Sequence, residues 1–261
     1  MSIIRPFKGI RPRADLASAI AALPYDVYNS EEAREIVAAE PKSFLQIDRA
    51  ETLLPKGTNP YSEAVYKTAS ETLNRMIDEG SFLQDKEPCY YLYALTMNGR
   101  TQTGLVGCAS IDDYCNNVIL KHENTLEAKE QDRIRHIDAC SAQTGPIFLA
   151  YRADKKLGEI IKNVRLTPEV YDFTSDDGIR HEVWRIDKMS TIVDISKIFE
   201  AIPHLYIADG HHRAASAVKV GLKRRAEDLH FSGTEEYNYF LSVLFPADEL
   251  AIYDYNRDVT D

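Results

Sequence analysis

The sequence predicts an α+β fold, in which hairpin-rich mixed sheets carry packed helices. Two strand–turn–strand patterns lead to that expectation. Asn98-Gly99 separates the strand-like runs 89–97 and 101–111, and Asp177-Gly178 separates 170–174 from 179–186. An Asn-Gly or Asp-Gly pair suits a tight turn whose twist matches the strands it joins. The third observation is the irregular mixture of helical and strand-like segments elsewhere. It lacks the strand–helix alternation of a doubly wound sheet, and no internal repeat is visible.

The elements follow in order. Residues 1–60 read as a short strand, a helix over 15–23 ending before Pro24, and a second helix ending before Pro41. Asn29 is the expected cap of that second helix, with Glu32 three residues on as its capping-box partner. Residues 44–48 read as a strand, and 51–60, with two prolines and a glycine, as a loop. Val65, Ala69, Leu73 and Met76 recur at helical spacing, which predicts a helix over 62–79 stopped by Gly80. After the first hairpin, 113–117 reads as a turn, 118–120 as a strand and 128–140 as a strongly charged helix. Gly145-Pro146 breaks the chain before a strand over 147–151. Helices are expected over 154–162, over 190–201 with Ser190 as cap, and over 211–220, and strands over 205–208 and 238–245. Trp184 reads as core or hairpin packing, and the strand-borne Cys89 and Cys108 as buried apolar packing. The chain stops at Asp261 without a closing element. Residues 1–261 are therefore expected to form one mixed globular unit, an N-terminal fragment of a longer protein.

Composition narrows the function classes. Apolar residues make up 44% and charged residues 28%, the balance of an ordinary globular protein. No run of about 18 apolar residues exists, so no membrane span is expected. The first residues lack the apolar stretch of a signal peptide, so a cytoplasmic location with reduced thiols is expected. The four cysteines form no Cys-x-x-Cys pair, which argues against a zinc site of that kind. The net charge of -10 argues against a nucleic-acid partner, because neutralising a phosphate backbone needs surplus Lys and Arg. The basic cluster 219–225 falls at the end of a predicted helix, where it complements the helix dipole. Oligomeric state is left open.

The expected functional centre is the turn Asp209-Gly210-His211-His212-Arg213. The apolar run 205–208 delivers the chain to it, and an alanine-rich helix follows at once. A strand–glycine–helix turn leaves backbone N–H groups free at the positive end of a helix dipole. Gly210 permits a left-handed turn and close approach of an anion, and Arg213 offers a two-pronged phosphate contact. Cationic groups in a first helical turn are repelled by the dipole, so their clustering there points to a bound anion. The alternative is plain capping by Asp209 with the histidines in solvent. A metal held by both histidines is disfavoured, since neighbouring side chains on a helix point in different directions.

Two further segments carry chemistry. Lys121-His122-Glu123-Asn124-Thr125 gathers a base, an acid and polar groups in one strand-end loop, where sites usually lie. His122 and Glu123 suit orientation of a hydroxyl or a hold on Mg2+. The second histidine of a zinc protease motif is absent, because Leu126 stands in its place. Lys129, Arg133 and His136 share a helix face that forms either the basic wall of a phosphate pocket or a solvated surface with internal ion pairs. Asp26, in the turn Pro24-Tyr25-Asp26-Val27, is either a general base or a turn residue.

The segment from Ile207 to Ala217 resembles the Gly-x-x-Arg-x-x-Ala signature of the ParB/sulfiredoxin superfamily. The chain as a whole resembles domain-of-unknown-function family 1015 (DUF1015), through residues 24–27, 122–125, 129–133, 145–148 and 209–213. The superfamily resemblance implies a turn and helix N-terminus that hold nucleotide phosphates, as in CTP-using partition proteins, ATP-using sulfiredoxins and free-serine kinases. His211 stands where a sulfiredoxin has its catalytic cysteine, so sulfinic acid reduction is not implied. No helix-turn-helix region is present, so the partition branch is not implied either. What the resemblance implies is a nucleotide-dependent phosphotransferase acting on a small hydroxylated metabolite such as serine, with ATP or ADP and Mg2+. Phosphate ligands would be Gly210, His211, His212, Arg213, Lys129 and Arg133. The metal would sit on Asp209 or Glu123. Catalytic candidates are Asp209, His212, Glu123 and His122, together with Asp26, which is suggested by an acidic residue near the N-terminus of the serine kinases. Two other functions remain beside it: a nucleotide-binding regulatory module without transfer chemistry, and a metal-dependent hydrolase using the His and Glu cluster.

Overall fold

The computed structural model describes residues 1–251. Strands β1 (Ile4–Arg5) and β2 (Ile10–Pro12) lead into short helices α1 (Ala17–Ile20), α2 (Ser30–Ala39) and α3 (Leu45–Asp48). Asn29 closes a full capping box on α2: its side chain accepts from the Glu31 and Glu32 amides, and Glu32 accepts from the Asn29 amide. Residues 44–48, expected as a strand, form the single helical turn α3 instead. The apolar pattern of so short a run does not separate a buried turn from a strand. Packing decides it here, burying Leu45 and Ile47 in one turn while the Phe44 amide donates to Ile20 O. The loop expected at 51–60 begins with a 3-10 turn, Ala50–Leu53.

Helix α4 (Glu63–Asp78) buries Val65, Ala69, Leu73 and Met76 as its spacing predicts, and Gly80 ends it at φ 74°. Strand β3 (Phe82–Gln84) pairs with β2 in a two-stranded sheet. The hairpin of β4 (Tyr90–Met97) and β5 (Arg100–Ser110) turns on Asn98 and Gly99, at φ 51° and 76°, as a two-residue turn of the expected hand requires. Residues 113–117 do not form a simple turn. Ser110 caps a short helix, α5 (Ile111–Cys115), by accepting from the Asp112 amide. Then come β6 (Ile119–Leu120), α6 (Glu127–Cys140), β7 (Ile147–Tyr151) and α7 (Lys155–Val164), the last capped by Asp154. The expected hairpin around Asp177-Gly178 follows, formed by β8 (Tyr171–Thr174) and β9 (Arg180–Ile186), with Gly178 at φ 79° in the connecting loop. Helix α8 (Met189–Ala201) starts one residue before Ser190, which therefore does not cap it. The chain closes the sheet with β10 (Leu205–Asp209), α9 (His211–Glu227) and β11 (Tyr239–Pro246).

The result is a mixed α+β architecture. Nine strands form one sheet in the order β6-β10-β7-β11-β5-β4-β9-β8, with β1 beside β5. One half is antiparallel and hairpin-built, whereas β10 runs parallel to β6 and β11 parallel to β7. Two apolar clusters organise the interior. The larger joins the sheet to α7, α8 and α9 through Leu92, Leu105, Trp184, Phe199, Ala214 and Phe240. The smaller joins α1, α3 and α4 through Ile20, Ile47, Val65 and Met76, with Cys140 of α6. Helix α6 lies between them, since its Ile137 packs on the larger cluster. No helix among the described residues is long and apolar enough to cross a membrane.

Candidate functional site

Sheet topology brings the sequence motifs together. β6 and β10 are parallel neighbours, and β7 runs antiparallel to β10 with Phe148 opposite Asp209. The C-terminal ends of β6 and β10 therefore share one end of the sheet with the start of β7. The 121–125 loop, the 209–213 turn and Gly145-Pro146 meet there.

The turn is built for its position. Gly210 adopts φ 88° as the cap of α9, a conformation L side chains rarely take. Asp209 does not cap the helix. Its carboxylate pairs with Arg213 Nη2 at 2.5 Å, while Arg213 Nη1 donates to Pro146 O. The guanidinium packs so closely that a Cβ on residue 210 would lie 3.1 Å from Arg213 Nε. Helix bonding begins with the Ala214 amide donating to Gly210 O, which leaves the first-turn amides outside the ladder. Buried Ala214, Ala215, Ser216 and Ala217 let α6 approach, and Ser216 Oγ donates to Glu130 O. Buried Glu130 pairs with Lys219 and accepts from Thr125, which ties the 121–125 loop to α6.

Arg213 lines a cavity of about 440 Å³ between the two apolar clusters. Arg133 and His136 of α6 reach the same cavity, joined by Asp48, Thr144 and Tyr25. Arg133 is buried, pairs with Asp132 at 2.8 Å and lies 4.0 Å over the Tyr25 ring. His136 Nε2 meets Ile47 O at 3.0 Å and Asp48 at 4.0 Å. Burial, and then the charge of Arg133, hold the His136 imidazole below its ordinary pKa. Thr144 Oγ1 donates to the Asp48 carboxylate at 2.6 Å. Tyr93 and His181, linked at 2.7 Å, also line the cavity.

The other expected residues fall elsewhere. His211 is buried on a different side of the turn, where it meets His122 and Glu123. His212 is half-buried, and its Nδ1 is buried without a hydrogen-bond partner among the described residues. Lys129 is exposed and does not line the cavity, so the face expected to hold Lys129, Arg133 and His136 divides between solvent and interior. Asp26 is exposed beside Tyr25 and is also outside the cavity lining.

A family model described as a protein of unknown function, DUF1015, matches residues 4–261. The chain belongs to that family. No curated protein and no solved structure matches it. The matched span contains every segment that carried the resemblance, including the Pro24–Val27 turn, the 122–125 loop and the 209–213 turn.

Sequence reasoning missed Asp48, Thr144 and Tyr25 as members of this constellation. Asp48 lay in a run read as a strand, and nothing local marks it as a site residue. Thr144 directly precedes Gly145-Pro146, and Tyr25 sits in the turn whose Asp26 drew attention instead. A break followed by a strand was the available signal for the first, and an aromatic beside a turn for the second.

Proposed function

We propose that the cavity beside Arg213 binds the phosphates of a nucleotide and that the protein transfers a phosphoryl group to a small hydroxylated metabolite of the serine class. The observation that supports this most is convergence. Arg213 from the α9 turn and Arg133 from α6 line one ligand-sized cavity together with a carboxylate, Asp48, and a neutral imidazole, His136. A guanidinium has more donors than the two bonds Arg213 makes, so it can hold Asp209 and a phosphate together. The turn that carries Arg213 is also the N-terminus of α9, and the ParB/sulfiredoxin-like signature favours a phosphate-binding role for it.

In this reading the nucleotide, ATP or ADP, gives up its terminal phosphoryl group to the acceptor oxygen. The P–O bond to the nucleotide breaks, and the hydroxyl proton passes to Asp48. The exposed Asp209 carboxylate suits Mg2+, which would neutralise phosphate charge. Glu123, the other carboxylate expected for Mg2+, faces two imidazoles instead. Such transfers depend mainly on positioning and charge, so few reactive groups are required.

Thermal unfolding with ATP, ADP, CTP and pyrophosphate, with and without Mg2+, tests the reading. A ligand at about 100 times its Kd adds about 2.7 kcal/mol, and Arg213→Ala is expected to lose that gain. Asp48→Asn should keep the nucleotide gain and lose turnover on a panel of hydroxylated acceptors. No stabilisation by any of the nucleotides would overturn the nucleotide reading. Stabilisation without product across the panel would overturn the transfer step.

A further inference from the structure

His122, Glu123 and His211 place one potential ligand atom each within 4.8 Å of one another. His211 Nδ1 lies 3.5 Å from Glu123 Oε2, and His122 Nε2 lies 3.7 Å from Glu123 Oε1. The two imidazoles meet edge to face, with ring centres 4.4 Å apart. Chain connectivity alone does not explain this gathering, because His122 and His211 are 89 positions apart in the sequence. It follows from the parallel pairing of β6 with β10, which sets the loop after one strand beside the turn after the other.

We propose that these three side chains form a site for a divalent transition-metal ion of the zinc class, distinct from the phosphate cavity. Four observations favour it. First, His211 is buried, yet its contacts with the His122 amide and with Glu123 are both 3.5 Å, the outer limit of a hydrogen bond. A buried polar nitrogen without a good partner is costly, and an ion supplies one. Second, the candidate ligand atoms of His122, Glu123 and His211 all lie within 4.8 Å of one another, close enough for one ion to reach all three. Third, the donor set is two nitrogens and one carboxylate oxygen. Imidazole nitrogen suits zinc and its neighbours, whereas Mg2+ prefers oxygen and keeps its waters. Fourth, His122 and Glu123 are 60% and 62% exposed, so an ion held there keeps a face open to water or a ligand. A cation at the positive end of α9 is opposed by the helix dipole, and the carboxylates of Glu123 and Asp209 offset that repulsion. The 121–125 loop is already tethered through Thr125 to Glu130, which limits the conformational freedom lost on binding.

The full chain, stripped with chelator, is titrated with Zn2+ by calorimetry and with Co2+ by visible absorption. One ion per chain is expected, with a cobalt ligand-field band that reports nitrogen ligation. His122→Ala and Glu123→Gln alter exposed side chains, so both variants should fold, and each should weaken Zn2+ binding by at least the about 10-fold that loss of an outer-shell partner costs. His230→Ala, an exposed histidine elsewhere, should leave the affinity unchanged. Binding should weaken on acidification, because protons compete with the ion for the imidazole nitrogens. Absence of saturable binding overturns the proposal, as does an affinity unchanged in both His122→Ala and Glu123→Gln. No nucleotide enters the measurement, so its outcome is independent of the phosphotransferase reading.

Discussion

Leu105, in the middle of the sheet, and Ile47, in the one-turn helix α3, are both fully buried, yet they are held in different ways. Leu105 has Leu92 opposite it on one side and Leu244 on the other, inside two long antiparallel ladders. Ile47 sits in a four-residue helix with few hydrogen bonds of its own, and its place depends on Ile20, Val65 and the rest of the smaller cluster. The sheet specifies itself through long alternating strands and turn chemistry. The helical segment 14–78 is specified largely by what it packs against. The cavity lies where these two regions meet, with Arg213 and Tyr93 on one side and Tyr25 and Asp48 on the other.

The largest expected effects come from breaking either core. Leu105→Ala and Ile47→Ala should each cost about 2–5 kcal/mol in denaturant unfolding, since each deletes a buried aliphatic side chain. The distinction should appear in hydrogen exchange. Leu105→Ala is expected to raise exchange throughout the sheet. Ile47→Ala is expected to open 14–78 while the β4, β5 and β11 amides stay protected. If Ile47→Ala deprotects the sheet to the same degree, the two regions are one cooperative unit and the contrast fails.

The same contrast explains how much was legible in the sequence. The β4–β5 hairpin was readable because Asn98-Gly99 is local chemistry with one geometric outcome. Helix α4 was readable because its apolar stripe repeats over four turns. Asn29 and Glu32 announced α2 for the same reason. By contrast, α3 and α5 are single turns whose conformation is set by neighbours distant in sequence. At the site, the turn 209–213 was visible through its glycine and its cluster of cations. Its division of labour was not. Which way Arg213 and His211 point depends on the Pro146 carbonyl and on the loop after β6, and both are brought in by sheet pairing. Asp209 was open to reading as a cap, and the structure makes it the partner of Arg213.

Two glycines of α9 sharpen the comparison at a smaller scale. Gly221 faces α5 and the turn before β11, where an added Cβ would lie 2.3 Å from Tyr237 O and 2.9 Å from Ile111 Cδ1. Gly221→Ala should therefore cost about 1–3 kcal/mol by overpacking, because the obstruction is backbone. It should leave nucleotide stabilisation intact. Gly210→Ala meets a different obstacle, a φ of 88° and the Arg213 guanidinium. Its cost in stability should be about 1–2 kcal/mol, the penalty of a left-handed residue. It should also abolish the ligand-induced melting shift, because Arg213 must move. Equal ligand responses in the two variants would mean that the turn does not position Arg213 for an anion.

The smallest effect tests the dependence of the helical segment from its own edge. Asn29 and Glu32 are exposed, and the box they form closes only the first turn of α2. Asn29→Ala should cost about 1 kcal/mol, the usual worth of a side-chain cap. Because α2 buries just Ala33 and Val37, the loss should appear as faster exchange of α2 amides. Arg49 links this helix to the cavity wall: it donates to the Tyr25 and Tyr28 carbonyls, bonds Ser30 Oγ and pairs with Glu51. Fraying of α2 is therefore expected to reach the Tyr25 turn and weaken nucleotide stabilisation slightly, with the sheet amides unchanged. A cap variant that speeds exchange in β4 and β5 as well would show that even this outermost turn is coupled to the sheet, and that the smaller cluster does not open by itself.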